Sequence, residues 1–178
     1  YSSKDGPYGG TGFYWAFAKN MDASVYLEWT GKRGLKEGLE YRYALARETS
    51  GKANFYYIGD KSVPNDSDTP VINGQTIHHN RYAFFVQHQQ KLPEDFYLKG
   101  DINRVSDHMY LQDFVRDIPG RASIDAWSAR QLRSVVFGGK NCDGFSVLAQ
   151  TAVYDDLTQQ SNDATVQKLP QISVYAHP

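Results

Sequence analysis

Apolar and polar residues alternate with a period of two along most of the chain, the spacing of strands with one face in an apolar environment and the other in water. Val25, Leu27 and Trp29 alternate with Ser24, Tyr26 and Glu28. Leu39, Tyr41, Tyr43 and Leu45 alternate with Glu40, Arg42, Ala44 and Ala46, and Tyr82, Phe84, Val86 and His88 share one phase of another such run. Phe96, Leu98, Gly100 and Ile102 run against Tyr97, Lys99, Asp101 and Asn103. The pattern returns at Phe145, Val147, Ala149 and Val153, and at Ile172, Val174 and Ala176. It predicts about nine strands, over 13–18, 22–30, 37–47, 53–58, 80–90, 96–104, 122–137, 144–154 and 170–177.

The predicted connections alternate in kind. Short turns fall at 19–21, 48–52, 91–95 and 138–143, and between them lie 31–36, 59–79, 105–121 and 155–169, three of which are long. An antiparallel up-and-down meander set across a membrane has this rhythm, with tight turns at one rim and long loops at the other. Asp60 to Gly74 reads as a mobile polar loop. Met109, Leu111, Phe114, Val115 and Ile118 predict a short helix packed over the barrel mouth or on a strand, with Ser106 and Asp107 as candidate N-caps.

Composition narrows this picture only slightly. The 178 residues carry a formal net charge of −1, which argues against a general nucleic-acid binder. Mean hydropathy is −0.59, a value shared by soluble proteins and by membrane barrels whose alternate residues face a wet lumen. No apolar run is long enough for a transmembrane helix. Residues 1–12 are polar and glycine-rich, so an export signal, if the chain has one, is expected outside this sequence. The 13 Tyr, 9 Phe and 3 Trp suit either ordinary strands or the aromatic girdles of a membrane barrel.

Catalytic readings fare poorly. Ser106, Asp107 and His108 are too close in sequence for a relay geometry, and His78 and His79 point to opposite faces of an extended backbone. The same alternation separates Asp155 from Asp156. Asn65–Ser67 matches a glycosylation sequon of low specificity, and the lone Cys142 has only Lys140 as a basic neighbour. The expectation is a protein that is not an enzyme and has no cofactor or metal site.

Charged and amide residues inside the alternation carry more. Glu40, Arg42, Lys99, Asp101 and Asn103 sit on the polar phase and are expected to line a hydrated lumen. Val25, Leu27, Trp29, Leu39, Tyr41, Tyr43, Phe96, Leu98, Ile102, Phe145 and Val147 are expected to face lipid. Lys32, Arg33 and Lys36 form a basic group in one predicted outer loop, where contact with anionic lipid headgroups is the expectation. Two alternatives stay open: a complete small outer-membrane barrel, and a soluble lipocalin-like barrel binding an amphipathic ligand.

Nine sequence blocks then point to a family. They are Phe13-Tyr14-Trp15, Asn20-Met21-Asp22-Ala23, Lys32-Arg33-Gly34-Leu35, Leu39-Glu40-Tyr41-Arg42-Tyr43, Asn80-Arg81-Tyr82, Phe96-Tyr97-Leu98-Lys99, Val105-Ser106-Asp107, Tyr110-Leu111-Gln112-Asp113-Phe114 and Leu169-Pro170-Gln171-Ile172. In this order they resemble the barrel domain of the LptD (OstA) family, outer-membrane lipopolysaccharide-assembly proteins once described as organic solvent tolerance proteins. The resemblance implies that residues 1–178 are early strands of a barrel of roughly 26, without the family's periplasmic jellyroll. It implies lipopolysaccharide as cargo and an outer-membrane lipoprotein plug (LptE-like) as partner. A periplasmic bridge protein (LptA-like) would act through the missing jellyroll. Gly12 stands where the family commonly has proline beside its lateral opening, and Cys142 inherits no role from the family's disulfide cysteines.

Overall fold

The computed structural model describes residues 5–63, 71–72, 75–114, 117, 130–159 and 162–176. Nine strands form one sheet: β1 (Tyr8–Ala18), β2 (Met21–Thr30), β3 (Gly34–Ala46), β4 (Thr49–Gly59), β7 (Asn80–Lys91), β8 (Phe96–Val105), β9 (Gln131–Cys142), β10 (Phe145–Asp156) and β11 (Lys168–Ala176). A two-stranded hairpin, β5 (Val71–Ile72) with β6 (Gln75–Thr76), lies in the connection between β4 and β7. Spatial order in the large sheet follows chain order, and every neighbouring pair is antiparallel. This is the expected up-and-down meander, with β1 and β11 as its outermost strands. The β1–β2, β3–β4, β7–β8 and β9–β10 links are short; the intervening three after β4 are long, so the long connections share one end of the sheet.

Most strands extend beyond their predicted ends. β1 begins at Tyr8, because the glycine-rich stretch before Phe13 pairs residue by residue with β2 from Thr30 to Tyr26. The turn expected at 138–143 is corrected: Gly138 and Gly139 lie inside β9, opposite Leu98 and Tyr97, and the chain turns only at 143–144, where Gly144 has φ +81°. At Gly139 the backbone needs a residue without a side chain. A β-carbon there would stand 2.9 Å from Cζ of Tyr97 and crowd the Val147 carbonyl. Of the predicted strand over 122–137, residues 131–137 belong to β9 and 122–129 lie outside the described residues, as do Asn65–Ser67 and most of the predicted polar loop.

The predicted helix forms as one turn, α1 (Tyr110–Asp113), with Tyr110 and Leu111 buried. Its expected caps are corrected too. Met109 occupies the N-cap without a side-chain hydrogen bond, because the Asp107 carboxylate is taken by Arg81. The core gathers where this loop folds onto the sheet: Ala83, Phe85, Val105, Tyr110, Leu111, Leu132 and Leu157, with Tyr56 and Phe114 packed against it.

Candidate functional site: two faces of one sheet

Directly opposed residues in an antiparallel pair share a face, and neighbours along a strand alternate. The register therefore sorts the side chains. All eleven residues expected to face lipid fall on one face: Val25 opposes Leu39, Val86 opposes Ile102, and Val147 opposes Lys140, which opposes Phe96. Glu40, Arg42, Lys99, Asp101 and Asn103 fall on the other, in cross-strand rows such as Glu40–Asn54–Phe85–Asn103 and Arg42–Lys52–Gln87–Asp101. The core and the α1 loop lie over this second face, so we term it the covered face and the first the bare face.

The bare face is mainly apolar and open, with Glu37, Arg104 and Lys140 among its charged members. Phe13, Trp15, Val25, Leu27, Trp29, Leu39, Phe55, Phe96 and Phe145 are all exposed on it. Towards the short-turn end a row of rings crosses the sheet: Trp15–Phe17 at 5.3 Å, Phe17–Tyr41 at 6.2 Å, Tyr41–Tyr43 at 5.6 Å and Tyr43–His88 at 6.0 Å. The Tyr43 hydroxyl and Nδ1 of His88 are 2.5 Å apart. Trp29, Tyr57 and Tyr82 stand towards the other end, and Val25, Leu27, Leu39, Phe55, Phe84 and Val86 fill the space between.

The covered face changes character along its length. On β7, Arg81, Ala83 and Phe85 are buried, whereas Gln87 and Gln89 on the same face are exposed. In the exposed, short-turn half, Arg42 Nε donates to Asp22 Oδ1 at 2.7 Å, Lys52 approaches Glu40 at 3.3 Å, and Asn103 Nδ2 donates to Asp101 Oδ1 at 2.9 Å. A cleft of about 440 Å³ there is lined by Ser50, Lys52, Gln87, Gln89, Lys99, Asp101 and Phe137, among others.

In the buried half, three cations meet six carboxylates. Asp60 Oδ2 accepts from Arg33 Nη1 at 2.6 Å and from Arg81 Nη1 at 3.0 Å. Asp113 likewise bridges the two guanidiniums, at 3.1 Å from Arg33 Nη2 and 2.7 Å from Arg81 Nη1. Arg81 holds Asp107 through two bonds, 2.9 and 2.8 Å, the fork geometry that suits guanidinium and carboxylate. Asp5 pairs with Arg33 at 2.8 Å, and Lys36 pairs with Asp117 at 2.6 Å and Glu28 at 2.8 Å. The Phe114 ring sits among all three cations, 5.2 Å from Arg33 Cζ, 5.3 Å from Lys36 Nζ and 5.1 Å from Arg81 Cζ.

Burial and pairing act differently on individual groups. Burial works against the charge on Asp60, but the Ser62 hydroxyl and amide and the guanidinium of Arg33 outweigh it and hold the carboxyl below its usual range. At Asp117 burial prevails over Lys36 and pushes the carboxyl up. The Tyr110 hydroxyl, which donates to Asp117 Oδ2 at 2.8 Å, is also pushed up by burial and by that carboxylate.

The basic group expected at the headgroups does not hold together. Arg33 and Lys36 turn inward, 6% and 8% exposed, because their charges are committed to the carboxylates above; Lys32 is the one of the three at the surface. Ser106, Asp107 and His108 also disperse: Asp107 to Arg81, with the Ser106 hydroxyl donating to it at 2.7 Å, and His108 to Asp155 at 3.5 Å.

A family model described as LptD, LPS transport system D, matches residues 79–178. The chain belongs to the LptD family. It is 34% identical over 120 residues to the LPS-assembly protein LptD of Idiomarina loihiensis, covering 67% of this chain and 14% of that protein. The protein of that name from Cupriavidus necator is 28% identical over 173 residues, 97% of this chain and 19% of the relative. That from Pseudomonas fluorescens is 29% identical over 163 residues, 92% of this chain and 16% of the relative. The chain thus spans under a fifth of the length of these relatives.

LptD membership gives the buried cluster a context that the residue-by-residue reading lacked. Arg81, Asp60, Asp113 and Asp117 were not singled out by alternation or by chemical motif, Asp107 only as a candidate cap or triad member, and Phe114 only as a helix position. Four of the nine blocks that resemble the LptD family nevertheless meet at this cluster, through Arg33, Arg81, Asp107, Asp113 and Phe114. A lone arginine inside an apolar strand was the available signal, since such a charge needs partners when buried.

Proposed function

We propose that this chain is part of the transmembrane β-barrel of an outer-membrane protein that assembles lipopolysaccharide into the outer leaflet. The observation that supports this most is the sorting of the alternation: an exposed, mainly apolar face with aromatic residues towards both ends, interrupted by Glu37 and Arg104, and backed by a face richer in charges and amides. Apolar side chains spread over one face of nine strands need a solvent other than water, and a bilayer supplies it. Family membership supplies the cargo. In this reading the bare face meets lipid, and Glu40, Arg42, Lys99, Asp101 and Asn103 line the lumen. Lys32 lies at the rim where it can meet lipid headgroups. The function is export rather than chemistry. A lipoprotein plug fits the lumen side, and a periplasmic bridge protein would deliver cargo to a jellyroll elsewhere in the full protein.

The test is depletion of the full-length protein in its own bacterium, with newly made lipopolysaccharide followed by labelling at the cell surface. Surface delivery is expected to stop while synthesis continues. Unchanged delivery after depletion overturns the reading. A photo-crosslinking side chain at Leu39 is expected to capture membrane lipid, and capture of soluble protein alone would place the bare face in water.

A further inference from the structure

We infer that residues 107–114, together with Asp117, form a fixed cover, docked on the long-loop half of the covered face through Phe114, so that the short-turn half around Gln87, Gln89 and Lys99 is the part open to solute. Three observations carry this. Phe114 inserts its ring among Arg33, Lys36 and Arg81, each within 5.3 Å of the centroid, so cations from the β2–β3 connection, β3 and β7 close on one residue of the cover. The cover's own carboxylates, Asp107, Asp113 and Asp117, take those same cations, and Asp60, at the end of β4, shares two of them. Beneath it Ala83 is fully buried, as is Leu111 on the cover itself, whereas Gln87 and Gln89 further along the same face of β7 are exposed.

Lifting the cover would break the pairs of Asp107, Asp113 and Asp117 at once and leave Arg33, Arg81 and Lys36 with only Asp5, Asp60 and Glu28 as partners. That makes the closed position a single deep state rather than one of two balanced ones. The sequence spacing gives the same sense: Asp113 holds Arg33 and Asp117 holds Lys36 across 80 and 81 residues, tying the cover to the start of β3. This inference goes beyond the export reading and does not rest on it.

Amide hydrogen exchange on the full-length protein in lipid nanodiscs tests it, read at Tyr110 and Phe114, whose N–H groups donate within the cover. Protection is expected to be strong and to change by less than about threefold when lipopolysaccharide is added; an acceleration above about tenfold overturns the fixed cover in favour of a moving one. The measurement without lipopolysaccharide stands even if the export reading fails. In a protein with Cys142 replaced by serine, Ala83→Cys is expected to react with a water-soluble maleimide at least about 100-fold more slowly than Gln89→Cys. Comparable rates would remove the cover. Phe114→Leu keeps apolar volume but loses the ring face, and is expected to raise Ala83→Cys labelling at least about tenfold; unchanged labelling would show that Phe114 does not hold the cover down.

Discussion

The two faces of the same strands meet their surroundings by opposite means. On β7, Tyr82, Phe84 and Val86 look out from the bare face, while Arg81, Ala83 and Phe85 are shut in by the chain's own loop on the other. An apolar solvent would satisfy the bare face without any specific partner. The covered face carries charges and can be closed only where each finds a counter-charge. Pattern along the strand therefore determines which face a residue occupies, but the length of the connection behind it determines whether that residue is buried. Arg81 and Gln89 share a face and differ in burial because only Arg81 lies within reach of residues 107–114.

The largest effect expected from this contrast is at Arg81. Arg81→Leu leaves Asp107 buried without its cation, and Asp113 and Asp60 with Arg33 alone, and is expected to cost about 3–5 kcal/mol. Arg42→Leu, on the same face in the exposed half, removes a solvated pair and is expected to leave stability nearly unchanged. Guanidinium titration of the full-length protein in phospholipid vesicles measures both. Equal losses would mean that the two halves of the face are not energetically different. The contrast between faces is probed next by Leu39→Arg, expected to cost about 2–4 kcal/mol if the bare face spans a bilayer. A change within about 0.5 kcal/mol would be that of a substitution in water.

Much of the fold was legible because its information is local. Alternation identified most of the strands and separated their apolar from their polar phases, since a period-2 pattern is a property of adjacent residues. The buried cluster was not legible in the same way. Arg33 lies 27 residues from Asp60 and 80 from Asp113, and only the register of β2, β3, β4 and β7 brings them together. The same non-locality misled the reading of Lys32, Arg33 and Lys36 as one basic surface. It also explains Gly138 and Gly139, where adjacent glycines resemble a turn but mark a close approach by Tyr97 from the neighbouring strand.

That close approach gives a smaller, sharper test. Gly139→Ala forces its methyl against the Tyr97 ring and the Val147 carbonyl and is expected to destabilise by about 1–3 kcal/mol. Gly9→Ala meets nothing within 4 Å and is expected to leave stability nearly unchanged. Thermal unfolding monitored by gel mobility distinguishes them. Equal behaviour would return Gly139 to an ordinary strand position.

The smallest effect separates two carboxylates within the covered half itself. Asp60 is held below its usual range in the folded protein, where Ser62 and Arg33 overcome the opposing effect of burial. Its contribution to stability is therefore complete above the unfolded value of about 3.9 and is lost as pH falls through the lower folded value. Asp117 is shifted the other way, because burial outweighs Lys36. Its contribution is complete below about 3.9 and is lost as pH rises through its raised folded value. The two carboxylates, a few ångströms from cations that close on the same Phe114 ring, thus tilt the stability profile in opposite directions on either side of that pH. Asp60→Asn is expected to flatten the acid limb and Asp117→Asn the limb above it, as read by amide exchange at Phe114 across the carboxylate range. If both variants flatten the same limb, the division of this cluster into a partner-dominated and a burial-dominated carboxylate is wrong.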